Sequence, residues 1–398
     1  MRIAILSDFH LGYERFREDA FRQAEEALGR AAELADAMLI PGDIFDGRTP
    51  RPDVIAEAIN LFRNLSRRKW NARVVDFVGD GSHYTDVPII AIPGTHERRA
   101  QDDADPVDLL GLAGLLVDAS NATAVIEAGG ERVAVRGIGG IADERFGQVV
   151  SEQNPRPLEG VFNVFMFHES LYELLPFNEQ FMRMEELPGG FDLYVCGHIH
   201  GRVEGNVHGK KLLIPGSTVL TQLRETEQER KGFYVYDTKS GAYEHVKINS
   251  RRFVLQKVDV SKLGEGTIVS AVEEGIESMI NASNDRPVIR VVMEGKVPRG
   301  SSIETYLNDM PRKYDGKAVV EISRAGIEEE SLRAASAQGK VTFEKMSVKD
   351  IGMGIFLENL KQQGVDTGRV GPVDLLEMLG SDMGKDKIVK KVMEELLK

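Results

Sequence analysis

Short apolar runs alternate with longer amphipathic stretches over the first 245 residues, which is the pattern of an α/β protein. Seven runs have the composition of buried strands and end in Gly, Asp, Asn, His or Pro; they are IAIL, AMLIP, PIIAIPG, VAVRGIGG, VFNVFMF, LYVCG and KLLIPGS. Between them, residues 13–35 and 51–68 carry apolar side chains at helical spacing. The apolar stripe of the second helix is wide, which predicts burial against more than one neighbour.

The pattern changes near residues 246–250. Residues 246–325 predict the order strand, helix, strand, helix, strand, which is enough for a small α/β domain. Residues 326–345 hold few large apolar side chains and predict a linker. Residues 346–398 predict short amphipathic helices, the last with one apolar face opposite mostly Lys and Glu. Such helices need either a partner surface or the body of their own domain, and the sequence leaves both open.

Composition narrows the class of protein without deciding its partner. No apolar run approaches the roughly 18 residues that span a bilayer, and no signal peptide precedes the first predicted strand. The single cysteine, Cys196, excludes an intramolecular disulfide and fits a reducing cytoplasm. The net charge of −13 opposes nucleic-acid binding overall, although basic clusters and bound cations change the local sign. We therefore expect a cytoplasmic protein with no membrane segment.

Polar side chains cluster where five of the predicted strands end. The clusters are SDFHLG (Asp8, His10), PGDIFD (Asp43, Asp46), PGTHE (Thr95, His96, Glu97), FMFHES (His168) and CGHIHG (His198, His200). In open α/β sheets, ligands gather outside the carboxyl ends of the strands. Each cluster alone has an ordinary explanation as a turn, but the five together predict one shared site.

The residue types in these clusters suit a pair of transition-metal ions. Carboxylates mixed with imidazoles favour Mn²⁺, Fe²⁺ or Zn²⁺ over Mg²⁺ and Ca²⁺. A central carboxylate can bridge two ions about 3.5–4 Å apart, and such a pair clamps the attacking and leaving oxygens of a phosphoryl displacement. Residues i and i+2 of an extended segment point the same way, so Asp8 and His10 can reach one ion. The clusters thus predict a two-metal phosphoesterase.

The motifs Asp-X-His, Gly-Asp-X-X-Asp, Gly-X-His-Glu, a single His after a strand, and Gly-His-X-His resemble those of the calcineurin-like metallophosphoesterase superfamily. Within it, SDFHLG, GDIFD, the small second domain and the helical tail resemble the double-strand-break repair nucleases of the meiotic recombination eleven type, called SbcD in bacteria, and above all the archaeal form. The resemblance implies a two-sheet α-β-β-α sandwich over residues 1–245, a DNA-binding cap over 246–325 and a helical tail over 346–398.

The resemblance also implies a role for each motif residue. The implied metal ligands are Asp8, His10, Asp43 and His200 for one ion and His168, His198 and Thr95 for the other. Asp43 would bridge the two ions, which are expected to be Mn²⁺. His96 would be the catalytic histidine, close to the scissile phosphate and assisting departure of the leaving oxygen.

Two residues depart from the family pattern. Thr95 stands where the family has Asn, and its hydroxyl is a shorter neutral donor, so we expect a weaker second metal site rather than an absent one. Asp46 stands where some members have His, and it is either a residue behind the metal ligands or a turn residue. Glu97 is expected to hold an imidazole from behind. Arg98 and Arg99 are candidates for contacts with DNA phosphate.

The function that the resemblance implies is a Mn²⁺-dependent DNA nuclease of a break-processing complex, associated with the nucleoid. It would act as an exonuclease on duplex ends and as an endonuclease on single strands and hairpins. The implied partners are DNA, a coiled-coil ABC-type ATPase that binds the tail, and a second copy of the chain through helices near 52–68 and 106–116. Two alternatives stay open. One is another binuclear phosphoesterase, such as a protein phosphatase or a nucleotide phosphodiesterase; the other is a DNA-binding scaffold with chemistry reduced by Thr95.

Overall fold

The computed structural model describes residues 1–79, 85–98, 104–175, 181–259, 261, 265–283, 285–295 and 303–327. The strands are β1 (Arg2–Ile5), β2 (Ala37–Pro41), β3 (Arg73–Val78), β4 (Ile89–Ile92), β5 (Val117–Asp118), β6 (Thr123–Ala128), β7 (Glu131–Ile138), β8 (Phe162–Phe167), β9 (Leu193–Cys196), β10 (Val203–Val207), β11 (Lys210–Ile214), β12 (Gly232–Asp237), β13 (Tyr243–Lys247), β14 (Phe253–Asp259), β15 (Val288–Gly295) and β16 (Val319–Ile327). The helices are α1 (Arg17–Leu34), α2 (Pro52–Ser66), α3 (Pro106–Leu112), α4 (Asp143–Gln153), α5 (Glu265–Asn281) and α6 (Ile303–Lys313). A search of these described ranges finds no helix with the length and hydrophobicity of a membrane span.

The strands form three sheets. The first has the order β13-β12-β1-β2-β4-β5, the second β10-β11-β9-β8-β7-β6-β3, and the third β14-β15-β16. Neighbouring strands β1, β2, β4 and β5 run parallel in the first sheet, and β7, β8, β9 and β11 run parallel in the second. The carboxyl ends of the parallel strands in each sheet therefore lie at the same edge of that sheet.

The first two sheets pack face to face, which explains why their central strands are apolar on both sides. In β1 and the residue after it, Ala4 and Leu6 belong to the core beneath α1, α2 and α3, whereas Ile3 and Ile5 belong to the core between the sheets. On the far face of the second sheet, Phe146 of α4 lies in a third core. Layers of helix, sheet, sheet and helix result, so the predicted α-β-β-α sandwich is confirmed.

The third sheet carries α5 and α6 and shows the strand and helix order predicted for residues 246–325. An apolar cluster joins its Phe253 and Val288 to Phe16, Leu220 and Leu223 of the sandwich. The division of the chain into domains stays a prediction. Strand β16 extends to Ile327, two residues into the predicted linker; the rest of the linker and the tail lie outside the described residues.

Candidate metal centre

The structure brings the five polar clusters to one place, at the carboxyl ends of β1, β2 and β4 in the first sheet and of β8 and β9 in the second. The residues that follow these strands are Asp8 and His10 after β1, Asp43 and Asp46 after β2, Thr95, His96 and Glu97 after β4, His168 after β8, and His198 and His200 after β9. The site thus lies where the parallel ends of two packed sheets meet.

Four of the candidate ligands have left-handed backbone conformations. The φ angles are +54° at Asp8, +47° at His10, +52° at Asp43 and +71° at His198. Such angles are uncommon outside glycine, although Asp, Asn and His tolerate them best. The bent segments hold one another, because the N–H of Asp8 donates to the carbonyl of Gly42 and that of His10 to the carbonyl of Asp43, each at 3.1 Å.

One group of ligand atoms gathers around Asp8. The Nε2 atoms of His10 and His200 lie 3.1 Å apart and are 4.0 and 3.8 Å from Asp8 Oδ1. The same Oδ1 accepts a hydrogen bond from the backbone N–H of His198 at 3.1 Å, which fixes the carboxylate. These three side chains can hold one metal ion.

A second group gathers around His168. Its Nε2 lies 3.2 Å from Asp43 Oδ2, while Nδ1 is 2.6 Å from the carbonyl oxygen of Pro41. Because Nδ1–H donates to that carbonyl, Nε2 is directed at the site. Thr95 Oγ1 lies 3.2 Å from His198 Nδ1, so the replaced family residue stands beside the second candidate ion site.

The donor set fits divalent metal ions. Within the described residues, Asp8 Oδ2 is buried without a hydrogen-bond partner, and the buried Asp43 Oδ2 and His168 Nε2 face each other as an ion pair at 3.2 Å. Burial of a carboxylate oxygen without a partner costs free energy that a cation would offset. Asp8 belongs to two of the three groups of possible ligands, with His10 and His200 in one and with Asp43 and His168 in another; the third group is His10, Asp46 and His96. Bridging by Asp43 stays a prediction.

Burial and nearby charges give the imidazoles of the site different pKa values. Burial, with the nearby charges of His168 and His10 respectively, lowers the pKa of His198 to about 4 and of His200 to about 2. Burial also lowers the pKa of His168, but the Asp43 carboxylate outweighs it and raises that pKa to about 10. His198 and His200 are therefore neutral and ready to coordinate, whereas His168 carries a proton that an ion must displace.

Two glycines in the motifs lie so close to candidate ligands that a side chain would not fit. A Cβ at Gly94 would lie 2.2 Å from Asp43 Oδ1, and a Cβ at Gly42 would lie 2.2 Å from His168 Nδ1. Gly42 also has φ +92°, which other residues rarely adopt. The Pro-Gly pairs before Asp43 and Thr95 therefore let the loops approach closely enough to form the site.

Asp46 contacts two imidazoles. Its Oδ1 lies 3.2 Å from His10 Nδ1, and its backbone carbonyl lies 3.0 Å from Nδ1 of His96. Of the two interpretations of Asp46, the structure favours a residue behind the ligands over a simple turn residue. The backbone N–H of His96 donates to Asp43 Oδ1 at 3.0 Å, and its side chain is 46% exposed, so its ring stands at the open side of the site.

Glu97 does not hold an imidazole, contrary to our expectation. Its Oε1 accepts from the backbone N–H of Phe45 and its Oε2 from that of Gly94, each at 2.8 Å, so both oxygens are occupied. Burial and the charge of Asp43 raise the pKa of this carboxyl well above its usual range. Glu97 joins the loop after β4 to the loop after β2. Arg98 is half-buried, and Arg99 lies outside the described residues.

Sequence reasoning missed a sixth polar segment beside the site. The hydroxyl of Thr221 lies 2.5 Å from His200 Nδ1, and the buried Lys231 donates to the carbonyl of His200 at 3.0 Å. The signal was the run PGSTVLT after β11, the strand next to β9. It contains neither His nor carboxylate, which were the groups used to find the site.

A family match and three related proteins agree with this geometry. Residues 1–202 match the family described as calcineurin-like phosphoesterase. The double-strand break repair protein MRE11 of Encephalitozoon cuniculi is 30% identical over 312 residues, which cover 72% of this chain and 53% of that protein. The DNA double-strand break repair protein Mre11 of Methanopyrus kandleri is 26% identical over 338 residues, covering 73% and 70% respectively.

The protein of the same name from Sulfolobus acidocaldarius is 23% identical over 357 residues, covering 84% of this chain and 85% of that protein. The chain thus spans about half the length of the Encephalitozoon protein and more of the other two. These similarities confirm the resemblance that the motifs predicted.

Proposed function

Because the chain belongs to the calcineurin-like phosphoesterase family, we propose that it hydrolyses phosphodiester bonds of DNA with two divalent metal ions, Mn²⁺ above all. The action would be exonucleolytic on duplex ends and endonucleolytic on single strands and hairpins. The printed names of its relatives, which are double-strand break repair proteins, support this choice of substrate.

The observation that carries the proposal is the cluster of buried ligand atoms at the sheet ends. Asp8 Oδ2 is buried without a hydrogen-bond partner among the described residues, and it lies in one group with Asp43 Oδ2 and His168 Nε2, which pair with each other at 3.2 Å. A folded protein rarely leaves such atoms unsatisfied unless an ion or ligand takes them up. Mixed carboxylate and imidazole donors support Mn²⁺, Fe²⁺ or Zn²⁺ over Mg²⁺.

The residues divide into two metal-binding sets. Asp8, His10, Asp43 and His200 would hold one ion, and His168, His198 and Thr95 the other, with Asp43 shared. When bound, such a pair of ions supplies a nucleophile at neutral pH and a clamp for the transferred phosphoryl group. Asp46 keeps the His10 ring in place through the 3.2 Å contact with Nδ1, which leaves Nε2 for coordination.

His96 would act on the leaving group. Nδ1–H of its ring donates to the carbonyl of Asp46 at 3.0 Å, and this bond fixes the orientation of the ring. Nε2 of the imidazolium can then give a proton to the departing sugar oxygen. The partial exposure of His96 suits a group that must meet an incoming strand rather than a metal ion.

The proposed partners are DNA, a coiled-coil ABC-type ATPase and a second copy of the chain. For the homodimer, α2 and α3 begin where the helices near 52–68 and 106–116 were predicted. Leu109 and Leu112 of α3 are 42% and 58% exposed, which supports an apolar contact on this side. ATPase binding is proposed for residues 346–398, which lie outside the described residues, and the cap role for residues 246–325.

The test compares the purified protein with its His96→Ala variant on a blunt linear duplex in Mn²⁺. We expect the variant to lose about 10²- to 10⁴-fold in rate, while its Mn²⁺ affinity stays unchanged because His96 is not a ligand. Equal rates for the two proteins would refute the assignment. If the wild-type protein binds two ions but cuts no DNA, even with the ATPase added, the result would favour the DNA-binding scaffold. Faster turnover of a phosphomonoester than of DNA would favour another phosphoesterase.

A further inference from the structure

A buried ion pair lies behind the candidate ligand His200. Lys231 Nζ is 2.8 Å from Glu227 Oε1, and the two residues are only 6% and 2% exposed. Nζ also donates to Ser217 Oγ at 2.9 Å and to the carbonyl oxygen of His200 at 3.0 Å, so all three ammonium protons have acceptors. Buried ion pairs add little stability over apolar residues of similar volume, so this pair calls for another explanation.

A chain of hydrogen bonds leads from this pair to the ring of His200. Glu227 Oε1 accepts from the backbone N–H of Thr221 at 3.1 Å and from its hydroxyl at 3.4 Å, and Oε2 accepts from the N–H of Gln222 at 2.8 Å. The hydroxyl of Thr221 in turn lies 2.5 Å from His200 Nδ1.

The donor or acceptor role of Glu227 determines the direction of each hydrogen bond between it and His200. Glu227 lies beside an ammonium group and accepts from two backbone N–H groups, which keeps it an acceptor. Thr221 therefore gives its single hydroxyl proton to Glu227, and its oxygen accepts Nδ1–H from His200. That tautomer leaves the lone pair on Nε2, the atom that faces Asp8 and His10.

The same segment is tied to the third sheet. Leu223 and Leu220 pack with Phe253 of β14 in one apolar cluster. The N–H of Leu255 donates to Gln228 Oε1 at 3.0 Å, and Arg290 of β15 donates to the carbonyl of Leu223 at 3.1 Å. The ligand-holding segment is therefore also the base on which β14 and β15 rest.

We propose that Thr221, Glu227 and Lys231 are positioning residues that hold His200 in the tautomer that binds metal through Nε2. Lys231 fixes the backbone of His200, and Glu227 fixes its ring through Thr221. This inference rests on the proposed two-metal function. The three residues are expected to affect the affinity of the ion that His200 would bind together with Asp8 and His10. They are expected to have no effect on the affinity of the other ion.

The test is a titration of the metal-free protein with Mn²⁺, followed by the electron paramagnetic resonance signal of the free ion, with no DNA present. We expect Thr221→Val to weaken one ion about 10- to 100-fold and to leave the other within about twofold. Thr221→Ser, which keeps the hydroxyl, should restore wild-type affinity. Thr218→Val is the matched control, because the Thr218 hydroxyl is buried in the same segment and has no hydrogen-bond partner within the described residues.

The outcomes separate this inference from the proposed function. If Thr221→Val binds both ions as tightly as wild type, or if Thr218→Val weakens the same ion equally, the positioning role is refuted. An equal loss at both ions, unrestored by Thr221→Ser, would indicate a general packing effect and also refute it. A wild-type protein that binds no metal would instead refute the proposed function. Thr221→Ala replaces the valine variant if circular dichroism shows that the latter is unfolded.

Discussion

Glu97→Ala should destabilise the protein strongly, although Glu97 touches neither a ligand ring nor the open side of the site. Its two oxygens accept the backbone N–H groups of Phe45 and Gly94, each at 2.8 Å, in a fully buried position. Alanine leaves both N–H groups without an acceptor, and each unsatisfied buried donor costs about 1–3 kcal/mol. The expected loss is therefore about 2–6 kcal/mol, a large share of a typical free energy of unfolding of about 5–15 kcal/mol.

Urea unfolding followed by tryptophan fluorescence measures this loss, because Trp70 is the single tryptophan of the chain. With a slope of about 3 kcal/mol per molar urea, the midpoint should fall by about 0.7–2 M. Glu97→Gln keeps one acceptor oxygen but places the NH2 donor of its amide against the second backbone N–H. Its midpoint should therefore lie between those of wild type and Glu97→Ala. Glu25→Ala, on the exposed side of α1, is the control and should change stability by less than about 0.5 kcal/mol.

A midpoint for Glu97→Ala within about 0.3 M of wild type would show that the two N–H groups find other acceptors. The reasoning would then fail at its first step, because the hydrogen bonds would contribute nothing that water or a shifted loop cannot replace. A large loss in alanine together with an equally large loss in glutamine would instead show that one acceptor oxygen is not enough and that both N–H groups need an acceptor.

Three further predictions follow from the site and its surroundings. Gly94→Ala puts a Cβ 2.2 Å from Asp43 Oδ1 and should weaken metal binding about 10- to 100-fold, measured by Mn²⁺ titration. Thr95→Asn should increase the affinity for the more weakly bound ion about tenfold in the same titration, because the asparagine side chain is longer than that of Thr95, which lies beside His198. An unchanged affinity would contradict a direct role for this residue in binding the ion. Burial raises the pKa of Asp118 from 3.8 to about 7, so the stability that this carboxyl contributes is lost as pH rises from about 4 to about 7. Asp118→Asn keeps the oxygen that accepts from Ser120 and should match wild type at pH 4 but exceed it by about 2–4 kcal/mol at pH 8, measured by urea unfolding.

The grouping of the candidate ligands at one place was predictable because it depends on a rule that holds along the sequence. His168 follows an apolar strand directly, and the same is true of the segment with His198 and His200. Parallel strands bring such ends to one edge whatever the detailed packing, so the grouping needs no knowledge of distances. The order of helices and strands in residues 246–325 was also predictable, because the apolar positions of each element there repeat with one period over most of its length.

The parts that were missed depend on contacts between distant segments. Glu97 accepts hydrogen bonds from Phe45 and Gly94 because the loops after β2 and β4 meet, and a local pattern does not report which N–H groups face a buried carboxyl. Strand β10 was missed because Gly205 and half-exposed neighbours interrupt its apolar pattern, and antiparallel pairing with β11 supplies what the local sequence lacks. Thr221 is held by Glu227, which pairs with Lys231, and these two residues lie six and ten positions further along the chain.

The left-handed backbone at Asp8, His10, Asp43 and His198 has a consequence for how this protein can be improved. Glycine adopts these angles without strain, although at Asp8 and Asp43 it would also remove the carboxylate that accepts the backbone N–H of His198 and of His96. A library screened for heat resistance alone can therefore enrich glycine at proposed metal ligands where the relieved strain exceeds the lost contacts, and such members would lack the ligand. Any selection for stability at these four residues must therefore be counter-screened for metal binding.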